Sequence, residues 1–210
     1  MRTVDLTQPL SDGLEGYPGD PGVSFELAHD HSERGYRVSQ LHIGSHVGTH
    51  VDAPSHVLPD GDSVDALGLD PFVGPARLID LGELPARAEI PAEAVAEHAA
   101  PGARLLLRTG WDSHYGEEDY YSSYPQVSLE LARACAGAGV ALVGLEQPSV
   151  HHEHGLEVHR VLLEAGCVIV EGLRLRELRV AELFLVCLPL LLAGRDGGPA
   201  RAVALEGLAT

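Results

Sequence analysis

The 210-residue sequence contains no lysine and no asparagine, and all fourteen of its basic residues are arginine. Without lysine, the protein cannot use a Schiff-base lysine or the phosphate-binding lysine of P-loop and kinase-type enzymes. Without asparagine, it cannot use a Cys-His-Asn triad. These absences exclude several common kinds of catalytic site and leave histidine and the carboxylates as the main candidates.

Positive charge and long apolar runs are also scarce. The formal net charge is −17 at pH 7, which repels phosphate backbones and anionic lipids, so we expect no nucleic-acid partner and no membrane partner. The longest apolar run, around residues 183–193, contains Pro189 and is too short to cross a bilayer. Because the first residues lack the layout of a secretion signal, we expect a cytoplasmic protein.

Only three cysteines are present, and they are widely spaced in apolar stretches. We expect Cys135, Cys167 and Cys187 to be reduced core residues, as free cysteines usually are. The length, with 45% hydrophobic and 21% charged residues, predicts one globular domain over residues 1–210.

Short apolar runs rich in β-branched residues alternate with helical patterns only in the second half of the chain, which predicts an α/β fold with a mixed sheet. Helices are predicted to begin at Pro91, after Ser128 as the N-cap, and near Gly155, with the last one ending at Gly166. Predicted strands cover residues 3–7, 40–43, 46–52, 77–81, 104–108, 140–145, 167–171, 184–188 and 201–205.

Histidine is abundant, with twelve residues, and the most informative group lies in the segment HVGTHVDAPSH. Gly48 and the β-branched residues around it disfavour a helix here. In an extended strand the side chains alternate between two faces, so His46, His50 and Asp52 would share one face. Gly48, on the same face, would leave open space for a metal ion or a substrate.

Two imidazoles and one carboxylate suit Zn²⁺ or Mn²⁺, and three protein ligands leave room for water, as in catalytic metal sites. The alternative is a set of hydrogen-bonded histidines on a half-buried sheet face. His56 follows shortly after this group, and an imidazole with a pKa of about 6.5 suits a general base or a proton shuttle at neutral pH.

The segment HVGTHVDAPSH resembles the signature of the metal-dependent cyclase family, which includes bacterial kynurenine formamidase (arylformamidase) and isatin hydrolase. The resemblance covers nearly the whole chain. The family's other segments are similar to VDLTQPLSDGLEGYPGDP at the start, to RLLLRTGW, and to HRVLLEAGCVIVEGLRL and FLVCLPLLLAGRDGGPARAVAL in the C-terminal half. The resemblance implies a swivelling β/β/α fold in a single domain, usually assembled as a homodimer.

The resemblance also implies roles for individual residues. His46, His50 and Asp52 match the first metal ligands of the family, and His56 matches its catalytic histidine. In kynurenine formamidase the counterpart of Asp52 bridges to a second zinc ion, and the remaining ligand positions fall on His159 and Glu171. The implied cofactor is Zn²⁺, one or two ions per chain, or Mn²⁺.

The sequence around these last two positions agrees with that assignment. His159 lies in a predicted helix beside apolar Val158 and Leu162, so it is close to a buried face. Glu171 ends an apolar strand, where a carboxylate is costly unless it has a partner.

One segment departs from the family pattern. Many relatives carry Asp-Thr-Pro-Ser-x-Asp where this chain has EQPSVH, so Glu146 keeps a carboxylate and His151 replaces one. The change indicates either an altered substrate pocket or a solvated polar loop. We also expect Tyr17 and Trp111 to line the substrate pocket together with His151, although the tyrosine-rich loop after Trp111 equally suits a dimer contact.

These features predict a metal-dependent hydrolase that acts on a small-molecule amide or formamide. The favoured reaction is the hydrolysis of N-formylkynurenine in tryptophan catabolism, with water activated by the metal and His56 accepting and returning the proton. Ring-opening hydrolysis of a lactam or lactone, as in isatin hydrolase, is the enzymatic alternative. A non-catalytic protein that binds a metal or a small ligand is the alternative from another class.

Overall fold

This computed structural model describes residues 1–208 of the chain. These residues contain twelve strands and three α-helices. The strands are β1 (Arg2–Asp5), β2 (Val23–His29), β3 (Val38–Ile43), β4 (His50–Asp52), β5 (Val73–Asp80), β6 (Glu89–Ile90), β7 (Arg104–Arg108), β8 (Gln126–Val127), β9 (Leu142–Leu145), β10 (Val168–Glu171), β11 (Glu182–Pro189) and β12 (Gly197–Glu206). The helices are α1 (His31–Arg34), α2 (Leu129–Ala138) and α3 (Gly155–Glu164). None of these helices is long and apolar enough to cross a membrane.

Eight of the strands form one sheet in the order β1-β12-β11-β5-β7-β9-β10-β4, and β4 also pairs with β12. That second pairing joins β4 back to β12, so the strands from β12 to β4 close into a ring. Strands β5, β7, β9 and β10 run parallel to one another, whereas the pairings of β1, β4, β11 and β12 are antiparallel. The α/β class with a mixed sheet, predicted from the sequence, is confirmed.

The sheet separates two hydrophobic cores, and strand β7 shows how. Leu106 packs on one face with Val170 and other side chains inside the ring. Leu105 and Leu107 point to the opposite face, where they pack in the same core as Leu131 of α2. Each buried leucine contributes about 1.5–3 kcal/mol of hydrophobic stabilisation. The period-two alternation of a strand therefore stabilises both layers at once.

Several local predictions are confirmed. Ser128 caps α2, because its side chain accepts a hydrogen bond from the backbone N–H of Leu131 at 3.1 Å. Gly166 follows α3 in the left-handed conformation, with φ of +76°. All three cysteines are free and buried.

The helix predicted from Pro91 is wrong, since only a three-residue 3₁₀ turn, Ala92–Ala94, forms there. Pro91 itself is extended, and Val95 is the one large apolar side chain of residues 91–100 that is fully buried. Without an apolar stripe to pack, a longer helix gains too little from burial.

Strand β2 is absent from the predicted strands because most of its side chains are exposed. It pairs only with β3, as an antiparallel ribbon outside the main sheet. Its burial does not alternate from residue to residue, so the usual strand pattern is missing.

The strand predicted over residues 46–52 is shorter in the structure, because only His50–Asp52 forms β4. The preceding residues form a turn in which Gly48 has a φ of +62°, a conformation that favours glycine. A Cβ atom at Gly48 would lie 2.5 Å from Cδ2 of Leu10. Gly48 therefore serves the turn and a close contact, and the predicted open space beside it is wrong.

Gly172 holds this turn against the end of β10. Its carbonyl accepts a hydrogen bond from Oγ1 of Thr49 at 2.6 Å, and its φ is +65°. A Cβ atom at Gly172 would lie 2.3 Å from the carbonyl oxygen of Gly48. Only glycine therefore allows the two backbone segments to come this close.

We expect Gly172→Ala to lower the free energy of unfolding by more than about 4 kcal/mol, the size of exceptional single substitutions. Gly166→Ala is the matched control, since Gly166 has the same left-handed backbone but open space around the added Cβ. It should cost only about 1–2 kcal/mol. Urea denaturation followed by circular dichroism measures both values, and equal losses would contradict the close-contact explanation.

Candidate active site

Strand β4 carries two polar side chains, His50 and Asp52, on the face opposite the core residue Val51. The antiparallel register places Glu171, the last residue of β10, directly opposite His50. Helix α3 packs against β10 and brings His159 to the same point. Residues far apart in the chain thus meet beside β4, which pairs with other strands along both of its edges.

The side-chain atoms of this group are within contact distance. The His50 Nε2 atom lies 3.4 Å from Oδ1 of Asp52 and 3.4 Å from Oε2 of Glu171. The His159 Nε2 atom lies 3.3 Å from the other Asp52 oxygen and 3.4 Å from the other Glu171 oxygen. His46, from the turn before β4, places Nδ1 2.8 Å from Oδ1 of Asp52. The structure therefore brings together all five residues that the sequence suggested as metal ligands.

Three buried atoms of this group have no hydrogen-bond partner within residues 1–208: His50 Nε2, Asp52 Oδ2 and Glu171 Oε1. Leaving a buried polar atom unpaired costs about 1–3 kcal/mol. The ligating atoms fall into two sets, one of His46, His50 and Asp52 and one of Asp52, His159 and Glu171, each within 4.8 Å. Imidazole and carboxylate donors at such spacing, with orphaned atoms among them, fit a divalent cation such as Zn²⁺ or Mn²⁺.

The electrostatics of the group also favour a cation. Burial alone would lower the pKa of His50, but the carboxylates of Asp52 and Glu171 raise it to about 10. Burial would raise the pKa of Asp52, but the imidazoles of His159, His46 and His50 hold it well below its usual value. The two carboxylates thus stabilise positive charge at this point, whether it is a proton or a metal ion.

His56 ends a short 3₁₀ turn, Pro54–His56, that follows β4. Its ring centroid lies 4.0 Å from that of His46 and 5.3 Å from that of His159. Burial and the neighbouring imidazoles of His46 and His159 lower its pKa. Its side chain remains 30% exposed, so it can meet a small molecule that approaches the group.

A cavity of about 500 Å³ opens beside His56 and Glu171. Its other lining residues are Tyr17, Pro18, Asp20, His46, Pro148, Ser149, His151, His152, Glu153, Gly155, Leu156 and His159. Pockets of this size hold small organic ligands. Any molecule in it would therefore contact both the carboxylate–imidazole group and His56.

The three residues suggested for a substrate pocket differ in position. Tyr17 and His151 line the cavity, but Trp111 does not. Trp111 is buried behind it, where its indole N–H donates to the carbonyl of Tyr120 and its ring packs in an aromatic cluster with Tyr120 and Tyr124. A large aromatic side chain after a strand is as typical of a core as of a pocket. The sequence alone therefore could not decide whether Trp111 lies in the core or in the pocket.

His151 supports the loop that leads into α3. Its Nδ1 atom accepts hydrogen bonds from the backbone N–H groups of Glu153 and His154, both at 3.1 Å. Its neighbour His152 stacks on Tyr124, with ring centroids 3.8 Å apart. His151, the residue that departs from the expected family pattern, therefore forms part of the cavity wall.

Glu146, the carboxylate kept in that segment, is fully buried and lies outside the cavity lining. It accepts hydrogen bonds from the backbone N–H groups of Thr109 and Trp111 at 2.7 and 3.0 Å. Burial and the charge of Asp112 raise its pKa to about 7. Its contacts hold the turn that carries Trp111.

Asp196 is a residue of this region that the sequence did not single out. One of its carboxylate oxygens lies 2.8 Å from Nε2 of His46. The only local signal was an acidic residue followed by two glycines, in GRDGGP, shortly before the strand predicted over residues 201–205. That pattern does not identify a partner 150 residues away.

Comparison with known proteins finds a matching family model and similar curated proteins. A family model named Cyclase, with the description "Putative cyclase", matches residues 4–152. The chain is 34% identical over 203 residues to a kynurenine formamidase of Bacillus cereus, and the match covers 95% of each chain.

Two solved structures are similar over almost the whole chain. One, described as "The Structure Of Potential Metal-Dependent Hydrolase With Cyclase Activity", has 27% identity and a TM-score of 0.82, covering 97% of this chain and 96% of that one. The other is isatin hydrolase A from Labrenzia aggregata bound to benzyl benzoate, with 25% identity, a TM-score of 0.86, and coverage of 97% and 93%. The fold implied by the resemblance is therefore confirmed.

Proposed function

The chain belongs to the cyclase family, and from this we propose that it is a metal-dependent hydrolase that cleaves the formamide bond of N-formylkynurenine. The observation that carries the proposal is the buried group of three imidazoles and two carboxylates at the end of a cavity that also exposes His56. The similarity to a kynurenine formamidase along 95% of the chain supports the choice of substrate.

The ligand sets suggest how the metal would be held. His46, His50 and Asp52 would bind one ion, and His159 and Glu171 would bind a second, with Asp52 shared between them. Zn²⁺ or Mn²⁺ held there would polarise the substrate carbonyl and activate a water molecule. Assembly as a homodimer and a cytoplasmic location stay predictions.

The remaining groups of the cavity would act on the substrate directly. His56 would accept the proton of the attacking water and return it to the amine that leaves. Tyr17 offers an aromatic ring face for the aryl group of the substrate. The carboxylates of Asp20 and Glu153, at the same cavity, suit the ammonium group of an amino-acid substrate.

Ring-opening hydrolysis of a lactam, as in isatin hydrolase, is the second candidate. It is favoured by the TM-score of 0.86 to isatin hydrolase A and by His151, which stands at the cavity wall where many relatives have a carboxylate. In both reactions water attacks the carbonyl carbon of an amide whose nitrogen is bonded to an aromatic ring. The same residues would therefore serve either reaction.

The substrate is tested with protein loaded with Zn²⁺ or Mn²⁺ and assayed on N-formylkynurenine, isatin and simple aryl esters. We expect N-formylkynurenine to have the highest kcat/KM, and we expect dialysis against a strong chelator to abolish turnover until the metal is restored. Preference for isatin would select the second candidate. Full activity of a verified metal-free sample, or metal binding without any turnover, would contradict the hydrolase proposal.

We expect His56→Ala to keep its metal and to lose about 10²–10⁴-fold in kcat, the usual effect of removing a general acid–base group. His42→Ala is the control, since it removes an exposed imidazole on the β2–β3 ribbon. Loss of metal in His56→Ala would make His56 a ligand, and an unchanged rate would remove it from the mechanism.

Metal content separates a two-ion site from a one-ion site. We expect the parent protein to hold two equivalents, Glu171→Gln to hold one, and Asp52→Asn to lose tight binding of both, because Asp52 belongs to both ligand sets. Glu146→Gln, which changes a buried carboxylate outside these sets, should keep two. Elemental analysis after removal of excess metal measures the content, and a parent with one equivalent that Glu171→Gln retains would contradict the shared-carboxylate arrangement.

A further inference from the structure

Each histidine of the candidate metal site places one ring nitrogen near a carboxylate of the site. The other ring nitrogen is held by a hydrogen bond. The Nδ1–H of His50 donates to the carbonyl of Gly48 at 3.0 Å, and the Nδ1–H of His159 donates to the carbonyl of Gly155 at 2.7 Å. Because a carbonyl oxygen can only accept, both rings carry their proton on Nδ1. Nε2 is therefore the nitrogen of each ring that could bind a metal ion, in place of a second proton.

In His46 the two ring nitrogens have exchanged roles compared with His50 and His159. Its Nδ1 atom faces Oδ1 of Asp52 at 2.8 Å, and its Nε2 atom faces Oδ2 of Asp196 at 2.8 Å. Its anchor is thus a carboxylate, whereas the other two histidines are anchored by the backbone.

We propose that Asp196 is a positioning residue that accepts the Nε2–H of His46 and thereby presents Nδ1 to the first metal ion. The inference rests on the proposed metal-dependent function and adds a residue to it. A carboxylate behind a ligating imidazole fixes the tautomer and the ring orientation, and it makes the ligating nitrogen more basic.

Asp196 is itself held in place. Its carbonyl accepts a hydrogen bond from the backbone N–H of Ala53 at 2.9 Å, directly after the ligand Asp52. The hydroxyl of Ser45 donates to its two carboxylate oxygens at 3.3 and 3.4 Å. A Cβ atom at Gly197 would lie 2.8 Å from Cε1 of His46, so the glycine allows the start of β12 to approach the ring. The contact is therefore built into the β4–β12 pairing.

The same atoms allow one other arrangement. His46, His56 and Asp196 place three ligating atoms within 4.8 Å, a spacing that could hold a further cation. The Nε2 atom of His46 cannot both donate to Asp196 and bind that cation. Metal content and the tautomer of His46 therefore distinguish the two arrangements.

The test compares Asp196→Ala and Asp196→Asn with the parent. We expect Asp196→Ala to weaken binding of the first metal ion by about 10–100-fold, the usual effect of removing such a partner, while the second ion is retained. Competition against a chromophoric chelator measures both affinities. Asp196→Asn, whose amide oxygen can still accept the Nε2–H, should restore part of the loss.

Asp65→Ala is the matched control for the chain segment. The Asp65 carboxylate accepts the backbone N–H of Gly194 at 2.8 Å, two residues before Asp196, without touching His46. It should therefore leave both metal affinities unchanged.

A second readout follows the tautomer of His46. In the metal-loaded parent, ¹⁵N NMR should show a single tautomer of His46 with its proton on Nε2. In Asp196→Ala, where weaker binding leaves the ring without metal and without its acceptor, the proton should distribute over both nitrogens. Unchanged affinity and tautomer in Asp196→Ala, or a parent that binds three ions with no proton on Nε2, would overturn the inference alone. A parent that binds no metal would overturn the proposed function together with it.

Discussion

Two buried carboxylates that share two imidazoles, with a third imidazole beside one of them, are the constraint on which the rest of the structure depends. Asp52 and Glu171 are 1% and 3% exposed, and buried negative charge is costly unless a cation or hydrogen bonds compensate it. The imidazoles of His46, His50 and His159 supply part of that compensation. Within the described residues, three polar atoms of the group still lack a hydrogen-bond partner, so the same arrangement that is costly for folding favours a divalent ion.

The position of β4 between β10 and β12 is what brings these groups together. Only three residues long, β4 is paired along both edges, which fixes the direction of His50 and Asp52. Along one edge, β10 places its last residue, Glu171, at the site. Along the other edge, Asp196 lies just before β12. Closing the ring of strands at β4 therefore serves the site as well as the core.

The chemistry of the site and its selectivity lie on different parts of the fold. The carboxylates and their imidazoles come from paired strands, a helix and a turn held by Gly172, all rigid elements. The cavity wall comes largely from the loop before α3, which contains His151 and His152. A candidate metal site built on paired strands, combined with a wall built from a loop, allows the substrate to change within a family while the hydrolytic chemistry stays the same.

The sequence by itself determined the α/β class and the helix capped by Ser128, because each depends on a local pattern. Through its resemblance to a known family it also suggested the members of the candidate ligand group. It did not determine how those members meet. His46 reaches the group through a turn at Gly48 instead of by strand alternation, Trp111 packs behind the cavity, and Asp196 contacts His46 from 150 residues away. These three positions depend on which strands pair and in what register. The pairing of two distant segments produces no periodic pattern in the sequence of either segment.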